Sequence, residues 1–351
     1  MGKRVTLEEI GKLLGVSAVT VSKALKDQKG VSDELRLRIQ QTAAELGYRK
    51  SRRAHNQKIP RTIGVIIAER FLENHQSFYW ALYQKLAERV LEKECVSVLE
   101  IISGPTEVAG MLPKLLEEKR VDGAVIVGNL KRGYMESLYR AFGGEIPLIC
   151  LDSELGPSRR DTVISDNIGG GYELTDYLLS LGHRRIGFVG TFLTTSSIDD
   201  RYLGYVKALL ERGLEAKKEW LIEDRDRESG ALLGAEALQL PEDPKAETAP
   251  TAYFCNCDVT AAVLIRALEA RGLRVPEDVS VVGFDNHLPK GNPDIRITTY
   301  EIDARLMAVK TVSRILKKIE SPNDMGGITV IGGRFIEGNS ARRIGPAVPF
   351  A

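Results

Sequence analysis

Polar side chains recur in this 351-residue sequence at one kind of place, directly after a short apolar run. They are Glu69 and Arg70, Asn129, Asp152, Ser165 to Asn167, Asn256 and Asp258, and Asp285 and Asn286. Carboxylates and amide oxygens accept from hydroxyls, a guanidinium donates a planar fork, and aromatic rings cover the apolar face of a sugar. Arg201, in "SSIDDRYLGY", supplies the fork, and Phe78 and Tyr79 supply rings. The set Phe78, Tyr79, Asn129, Asp152, Arg201, Asn256, Asp258 and Asp285 therefore suits a neutral, polyhydroxylated small molecule. Taken singly, each has a plainer role open to it as a cap or turn residue; Asp258, at a helix start, is the clearest case.

Catalytic constellations are harder to assemble. "DNIGGGYE" has glycines after an apolar run but neither the dinucleotide nor the Walker spacing, so packing glycines at a helix start are expected. His183, in "GHRRIGFVG", precedes an apolar run and falls away from the expected ligand mouth. No Ser/His/Asp or Cys/His set shares that mouth. Cys255 and Cys257 alternate as two small residues on one strand face, and a metal site would need two more ligands. The expectation is a binding protein with no cofactor, no metal and no catalytic residue. Cys95 and Cys150 complete a set of four cysteines that fits a reducing cytoplasm. No apolar run approaches a membrane span, and "MGKRVTLEEI" does not read as a secretory signal.

A second group of side chains suits a polyanion. In "GVSAVTVSKAL", residues 15–25, Val21, Ala24 and Leu25 form the apolar face of a helix, which leaves Ser17, Ala18, Val19, Thr20, Ser22 and Lys23 free. Small side chains let a backbone approach a nucleic-acid groove, hydroxyls reach phosphates, and a lysine reaches guanine edges or phosphate. "RKSRRAHNQKIPR", residues 49–61, adds six cations, Arg52 among them, and no acid. Such a run repels itself until phosphates neutralise it. Residues 1–61 carry a net +8 in a chain whose total is +1, so a basic head precedes an acidic body.

Three short helices must position the free face. Thr6 caps the first, with Glu9 completing a capping box and Val5 and Ile10 forming a staple. Thr6 is grouped with the nucleic-acid-facing residues. Leu7, Ile10 and Leu14 face inward and Gly15 turns the chain. Ser17 caps the second helix. The third starts at Ser32, places Leu35, Ile39, Ala43 and Leu46 inward, and stops at Gly47. Helix, glycine-containing turn, helix is the helix-turn-helix arrangement. From Ile63 the runs "IGVII", "VSVLEII", "GAVIV", "PLICL", "TVIS", "RIGFVG", "AYFCN" and "VSVVGF" alternate with amphipathic stretches. They read as buried parallel strands with crossover helices. Residues 61–351 are too many for one such sheet, so two sheets with a cleft between them are expected.

"VTLEEIGKLLGVSAVTVSKALKDQKGVSDELRLRIQQTAAELGYR" resembles the DNA-binding head of the lactose/galactose repressor (LacI/GalR) family. "VISDNIGGGYELTDYLLSLGHRRIGFVG", "DDRYLGY", "FCNCD" and "PEDVSVVGFDN" resemble successive motifs of that family's sugar-binding core. The motifs occur in order over essentially the whole chain. The resemblance implies a homodimeric, cytoplasmic transcriptional regulator, expected to repress, with double-stranded operator DNA and a sugar-like effector as partners. A purine-like or phosphorylated effector is the alternative, and a sugar-modifying enzyme with a DNA-binding head is less favoured.

By the same resemblance, a helix-turn-helix domain spans 1–48, a hinge 49–60, and an effector-binding and dimerisation core 61–351. The core resembles periplasmic binding proteins, with one subdomain at 61–164 and 299–321 and a second at 165–285 and 328–351. The chain is expected to cross between them near Val163–Ser165, Asp285–Thr299 and Ser321–Ile328. Ala18, Val19 and Lys23 fall where the family reads bases, Thr20 and Ser22 nearer the backbone, and Arg201, Asp258 and Asp285 where it touches ligand. Ala54 takes the minor-groove place of the hinge, and Gln57 stands where a leucine wedge is usual. Lys50 replaces a common proline. Cys257 stands where asparagine often precedes the aspartate matched by Asp258, with Asn256 one residue earlier.

Overall fold

The computed structural model describes residues 5–25, 28, 30–46, 60–72, 77–153, 161–244, 246–288 and 295–345. The chain divides into two units, 1–60 and 61–351. Arg52, Ala54 and Gln57, and the expected helix stop at Gly47, lie outside the described residues.

The first unit is three helices, α1 (Leu7–Leu14), α2 (Ala18–Leu25) and α3 (Asp33–Glu45). The Glu9 amide donates to Thr6 Oγ1 at 3.3 Å and the Thr6 amide to Glu9 Oε2 at 2.9 Å, closing the capping box. Gly15 ends α1 at φ +66°, and the Val16 amide returns to the Gly11 carbonyl at 2.9 Å. That turn brings the Val16 oxygen so close that a β-carbon on Gly11 would stand 2.6 Å from it. Ile10, Val21, Ala24, Ile39 and Ala43 are buried together, with Leu7, Leu14, Leu25 and Leu35 against them. Leu46 does not join this core: it is 37% exposed at the last turn of α3, a correction to the inward face expected for it.

The second unit opens with β1 (Thr62–Ala68), α4 (Phe78–Glu92), β2 (Val96–Ile102), α5 (Gly104–Ala109), α6 (Lys114–Glu117), β3 (Gly123–Val127) and α7 (Arg132–Phe142). It continues through β4 (Leu148–Leu151), β5 (Thr162–Ser165), α8 (Asn167–Ser180), β6 (Ile186–Val189), α9 (Ser196–Glu211) and β7 (Leu221–Ile222). The last elements are β8 (Ala252–Cys255), α10 (Asp258–Ala270), β9 (Ser280–Val282), β10 (Thr299–Glu301), α11 (Ala304–Glu320), β11 (Ile328–Ile331) and β12 (Arg334–Ile336). All eight apolar runs became strands, namely β1 to β6, β8 and β9. Six parallel strands form one sheet in the order β11-β5-β4-β3-β1-β2, four form another in the order β7-β6-β8-β9, and β10 pairs antiparallel with β12. Successive β1 residues alternate between two buried clusters, Ile63, Val65 and Ile67 in one and Ile66 and Ala68 in the other. This explains the unbroken apolar run, because a parallel strand covered on both faces has no solvent side.

The chain passes between the sheets three times, and two passages lie later than expected. The first follows Ser165, where β5 gives way to α8. The second lies between β10 and α11, because parallel bridges from Val282 to Thr298 and from Asp285 to Glu301 keep 298–301 beside β9. The third lies between β11 and β12, because Ile328–Ile331 pairs with Thr162–Ser165. Residues 328–331 therefore belong to the first sheet, and 299–301 extend the second.

Candidate functional site

In the head, α2 presents what its sequence leaves free. Val21 and Ala24 are buried, Val19 is 65% exposed, and Lys23 is exposed. Ser17 Oγ accepts from the Thr20 amide at 3.1 Å and shares a hydrogen with Thr20 Oγ1 at 2.8 Å, so both hydroxyls already serve the helix start. Thr6 likewise holds the cap of α1.

The carboxyl ends of both sheets converge on a cleft in the second unit. Close helix packing sets its second wall. A β-carbon on Gly171 of α8 would lie 2.4 Å from the Arg201 carbonyl, and one on Gly204 of α9 would lie 2.2 Å from that of Ile168. Only glycine permits this approach, which bears out the packing role expected for "DNIGGGYE". It seats Arg201, which is 5% exposed. Arg201 donates Nε to Asn167 Oδ1 at 2.9 Å and Nη1 to the Asn256 carbonyl at 2.6 Å. Its guanidinium carbon lies 4.0 Å from the Phe284 ring centroid.

Two aspartates, Asp152 and Asp285, feel the charge of this cation, and a third, Asp258, stands beside Asp285. Asp152 and Asp285, at strand ends, have φ +55° and +88°, backbone that a non-glycine residue adopts at a cost. Burial pushes the Asp152 carboxyl up, opposed by the Arg201 charge and the Tyr79 hydroxyl. Burial also pushes Asp258 up, and the neighbouring Asp285 charge adds to it. Asp285 is pushed up to about 7 by burial, against the pull of Arg201. Like charges in a site of low dielectric retain protons that water would remove. On the first wall Tyr79 is half-buried and packs against Phe71, 4.4 Å between centroids, and Phe78 packs edge-on to Tyr79 at 5.5 Å.

Buried polar atoms normally find partners. Here Asn129 Oδ1, Asp152 Oδ1 and Asp258 Oδ1 are buried without one among the described residues. Asn129 and Asp152 follow the ends of β3 and β4, and Asp258 opens α10 with its Oδ1 against Gly283. Three orphaned acceptors, one of them within the field of Arg201, would match a ligand that brings several donors.

The remaining expected residues fall elsewhere. Asn256 does not offer its amide to a ligand: Nδ2 donates to Asp224 Oδ2 at 2.6 Å and to the Val189 carbonyl at 3.0 Å. Its backbone carbonyl, by contrast, holds Arg201. Asp166 caps α8 through the Gly169 amide, Asn286 donates to Glu301 at 2.9 Å, and Glu69 is exposed. Arg70 is paired with buried Glu107 at 2.6 Å and donates to the Asn129 carbonyl at 2.5 Å. Cys257 is not on a strand with Cys255; it occupies the N-cap position of α10 without a side-chain capping bond, and Asp258 is the first helical residue. His183 lies outside the cleft, buried between Thr251, Ser280 and the Arg342 carbonyl. The described residues hold no cluster of three metal-ligating side chains, and none of their helices is long and apolar enough to cross a membrane.

Sequence reading missed Arg225 and Asp224. They lie in the charged run "EDRDRE", directly after the two-residue strand β7, and such a run reads as a solvated surface.

Comparison with known proteins places this architecture. The profile of the bacterial regulatory proteins, lacI family, matches residues 6–51, and that of the periplasmic binding protein-like domain matches 175–341. The HTH-type transcriptional repressor PurR of Glaesserella parasuis serovar 5 (strain SH0165) is 30% identical over 328 residues, 91% of this chain and 92% of that protein. The chain belongs to the lacI family of bacterial regulatory proteins. The ribose operon repressor of Haemophilus influenzae (strain ATCC 51907 / DSM 11121 / KW20 / Rd) is 27% identical over 91% of this chain and 93% of that protein. Two solved structures share the fold. A transcriptional regulator CelR–cellobiose complex has TM-score 0.67 at 24% identity, covering 96% of this chain and all of that one. The lac repressor dimer bound to operator and the anti-inducer ONPF has TM-score 0.65 at 23% identity, covering 97% of this chain and all of that one. As a lacI-family member the protein is a DNA-binding transcriptional regulator controlled by a small-molecule effector.

Proposed function

We propose that this lacI-family protein is a homodimeric repressor whose α2 reads operator DNA and whose cleft holds a hydroxylated effector, a sugar or a close relative. The observation that carries the effector class is the set of three unpartnered buried acceptors, Asn129 Oδ1, Asp152 Oδ1 and Asp258 Oδ1, with the Arg201 charge felt at Asp152. Hydroxyl hydrogens would satisfy them and remove the cost of burying them bare. The effector contacts are Phe78, Tyr79, Asn129, Asp152, Arg201, Asp258 and Asp285; the DNA contacts on α2 are Ala18, Val19, Thr20, Ser22 and Lys23. Residues 1–48 form the DNA-binding domain, 49–60 the hinge and 61–351 the core. The protein acts in the cytoplasm and catalyses no reaction. Burial pushes the Cys257 thiol up to about 11, which leaves it a poor nucleophile at the cleft.

A purine is the second reading, favoured by the purine repressor among the relatives and by the rings of Phe71, Phe78 and Tyr79. A thermal-shift screen of sugars and hypoxanthine separates the two. A ligand at a hundred times its Kd stabilises by about 2.7 kcal/mol. Binding of hypoxanthine alone would replace the sugar reading. A hit that leaves operator affinity unchanged would remove the effector role.

A further inference from the structure

Two guanidinium groups meet on Asn256. Arg201 donates Nη1 to its backbone carbonyl at 2.6 Å, and Arg225 donates Nη2 to its side-chain oxygen at 3.3 Å. Both side chains are largely out of water, Arg201 at 5% exposure for the residue and Arg225 at 13% for the side chain. Nη2 of Arg201 and Nη1 of Arg225 have no hydrogen-bond partner among the described residues. Tyr79, on the opposite wall, feels both charges.

Arg225 is paired with Asp224 at 3.0 Å, yet Asp224 does not depend on it alone. The Asp224 oxygens also accept from the Thr191 amide at 2.9 Å, Thr191 Oγ1 at 3.1 Å, Asn256 Nδ2 at 2.6 Å and Thr260 Oγ1 at 2.8 Å. A carboxylate so fully supplied orients the guanidinium and leaves its Nη1 free. One free nitrogen on each of two guanidiniums held in advance can donate to the two oxygens of an oxyanion. The acids that feel the Arg201 charge, Asp152 and Asp285, and Asp258 beside Asp285, are all pushed toward their protonated forms by burial, which lessens the repulsion an anion would meet.

Resting on the reading of the cleft as the effector site, we propose that Arg201 and Arg225 together bind an oxyanion, carboxylate or phosphate, carried on a hydroxylated effector. Its hydroxyls face Asn129, Asp152 and Asp258. Arg225 is then the residue that sets an acidic sugar apart from a neutral one.

The test is calorimetry on the full-length chain with D-gluconate, D-glucuronate, D-glucose 6-phosphate, D-glucose, D-ribose and hypoxanthine. An acid is expected to bind at least about tenfold tighter than D-glucose, as a charge-assisted contact implies. The sugar acids against the phosphate ester tell which oxyanion is used. Arg225→Leu should lower affinity for that acid about 100-fold, and Arg225→Lys, which keeps a cation beside Asp224 if the leucine variant misfolds, about tenfold. D-Ribose or hypoxanthine binding tighter than every acid, no acid binding, or indifference to both Arg225 variants would overturn the oxyanion while leaving the cleft as the site. An acid whose affinity also ignores Arg201→Ala and Asp258→Asn binds elsewhere, and the cleft reading itself then falls.

Discussion

Arg201 lies over the Phe284 ring, 4.0 Å from guanidinium carbon to ring centroid, while Asn167 and the Asn256 carbonyl hold two of its nitrogens. The side chain is thus ordered before any ligand arrives, and little rotamer entropy remains to be lost on binding. Lysine keeps the charge and loses the fork. Arg201→Lys is expected to weaken the cleft ligand by about 1.5–3 kcal/mol, roughly 10- to 150-fold, with effector-free operator affinity changed less than about twofold. Calorimetry and DNA titration read the two effects. Unchanged ligand affinity would remove Arg201 from the site.

The buried carboxyl Asp285 should make stability fall as pH rises. Its folded value of about 7 exceeds the ordinary 3.8, so between these the folded chain holds a proton that the unfolded chain has released. The penalty builds through that window and reaches on the order of 2–4 kcal/mol above it. Asp285→Asn should flatten this slope in denaturant melts from pH 4 to 8. An equal slope in both proteins would mean that the carboxyl ionises freely in the fold.

His183 should act in the opposite direction. Burial lowers it from 6.5 to about 4, so the unfolded chain binds the proton first on acidification. Its contribution is complete above pH 6.5 and is lost as pH falls toward 4, up to about 3 kcal/mol. His183→Gln should lose about 1–3 kcal/mol at pH 7 through poorer bonds to Thr251 and Ser280, and show less acid sensitivity. Acid sensitivity equal to wild type would assign it to other groups.

In the head, Gly11→Ala sets two effects against each other. Alanine favours the helix by about 1 kcal/mol, but its β-carbon would meet the Val16 oxygen at 2.6 Å. Overpacking against backbone costs about 1–3 kcal/mol, so a net loss is expected. Amide exchange of α1 and α2 should quicken and operator affinity should drop. Slower exchange would show that the turn yields cheaply.

Lys23 is exposed on α2 beside Val19. Lys23→Ala should cost about 1–3 kcal/mol on the preferred operator and relax preference at one base pair per half-site. If instead affinity falls equally on every sequence and the salt slope shrinks by about one, Lys23 touches phosphate.

What the sequence determined by itself is mostly local. The Thr6–Glu9 box and the turn at Gly15 depend on residues three to five apart, so their pattern survives in one dimension. The eight strands were legible because each is an apolar run; most are parallel strands covered on both faces, and the edge strand β2, though mostly not buried, keeps the same pattern. The cleft aspartates followed from them, since a strand's end is visible wherever its apolar run stops. Tertiary structure decided the rest. Ile331 is the only buried residue of β11, an edge strand whose short apolar run does not by itself show which sheet it joins. Asn256 turned its amide toward Asp224, 32 residues away, and Arg225 came into the cleft from a charged run behind a two-residue strand. Where several donors compete for one buried carboxylate, the winner is fixed by distance and desolvation in three dimensions, and neither is written in the order of the residues.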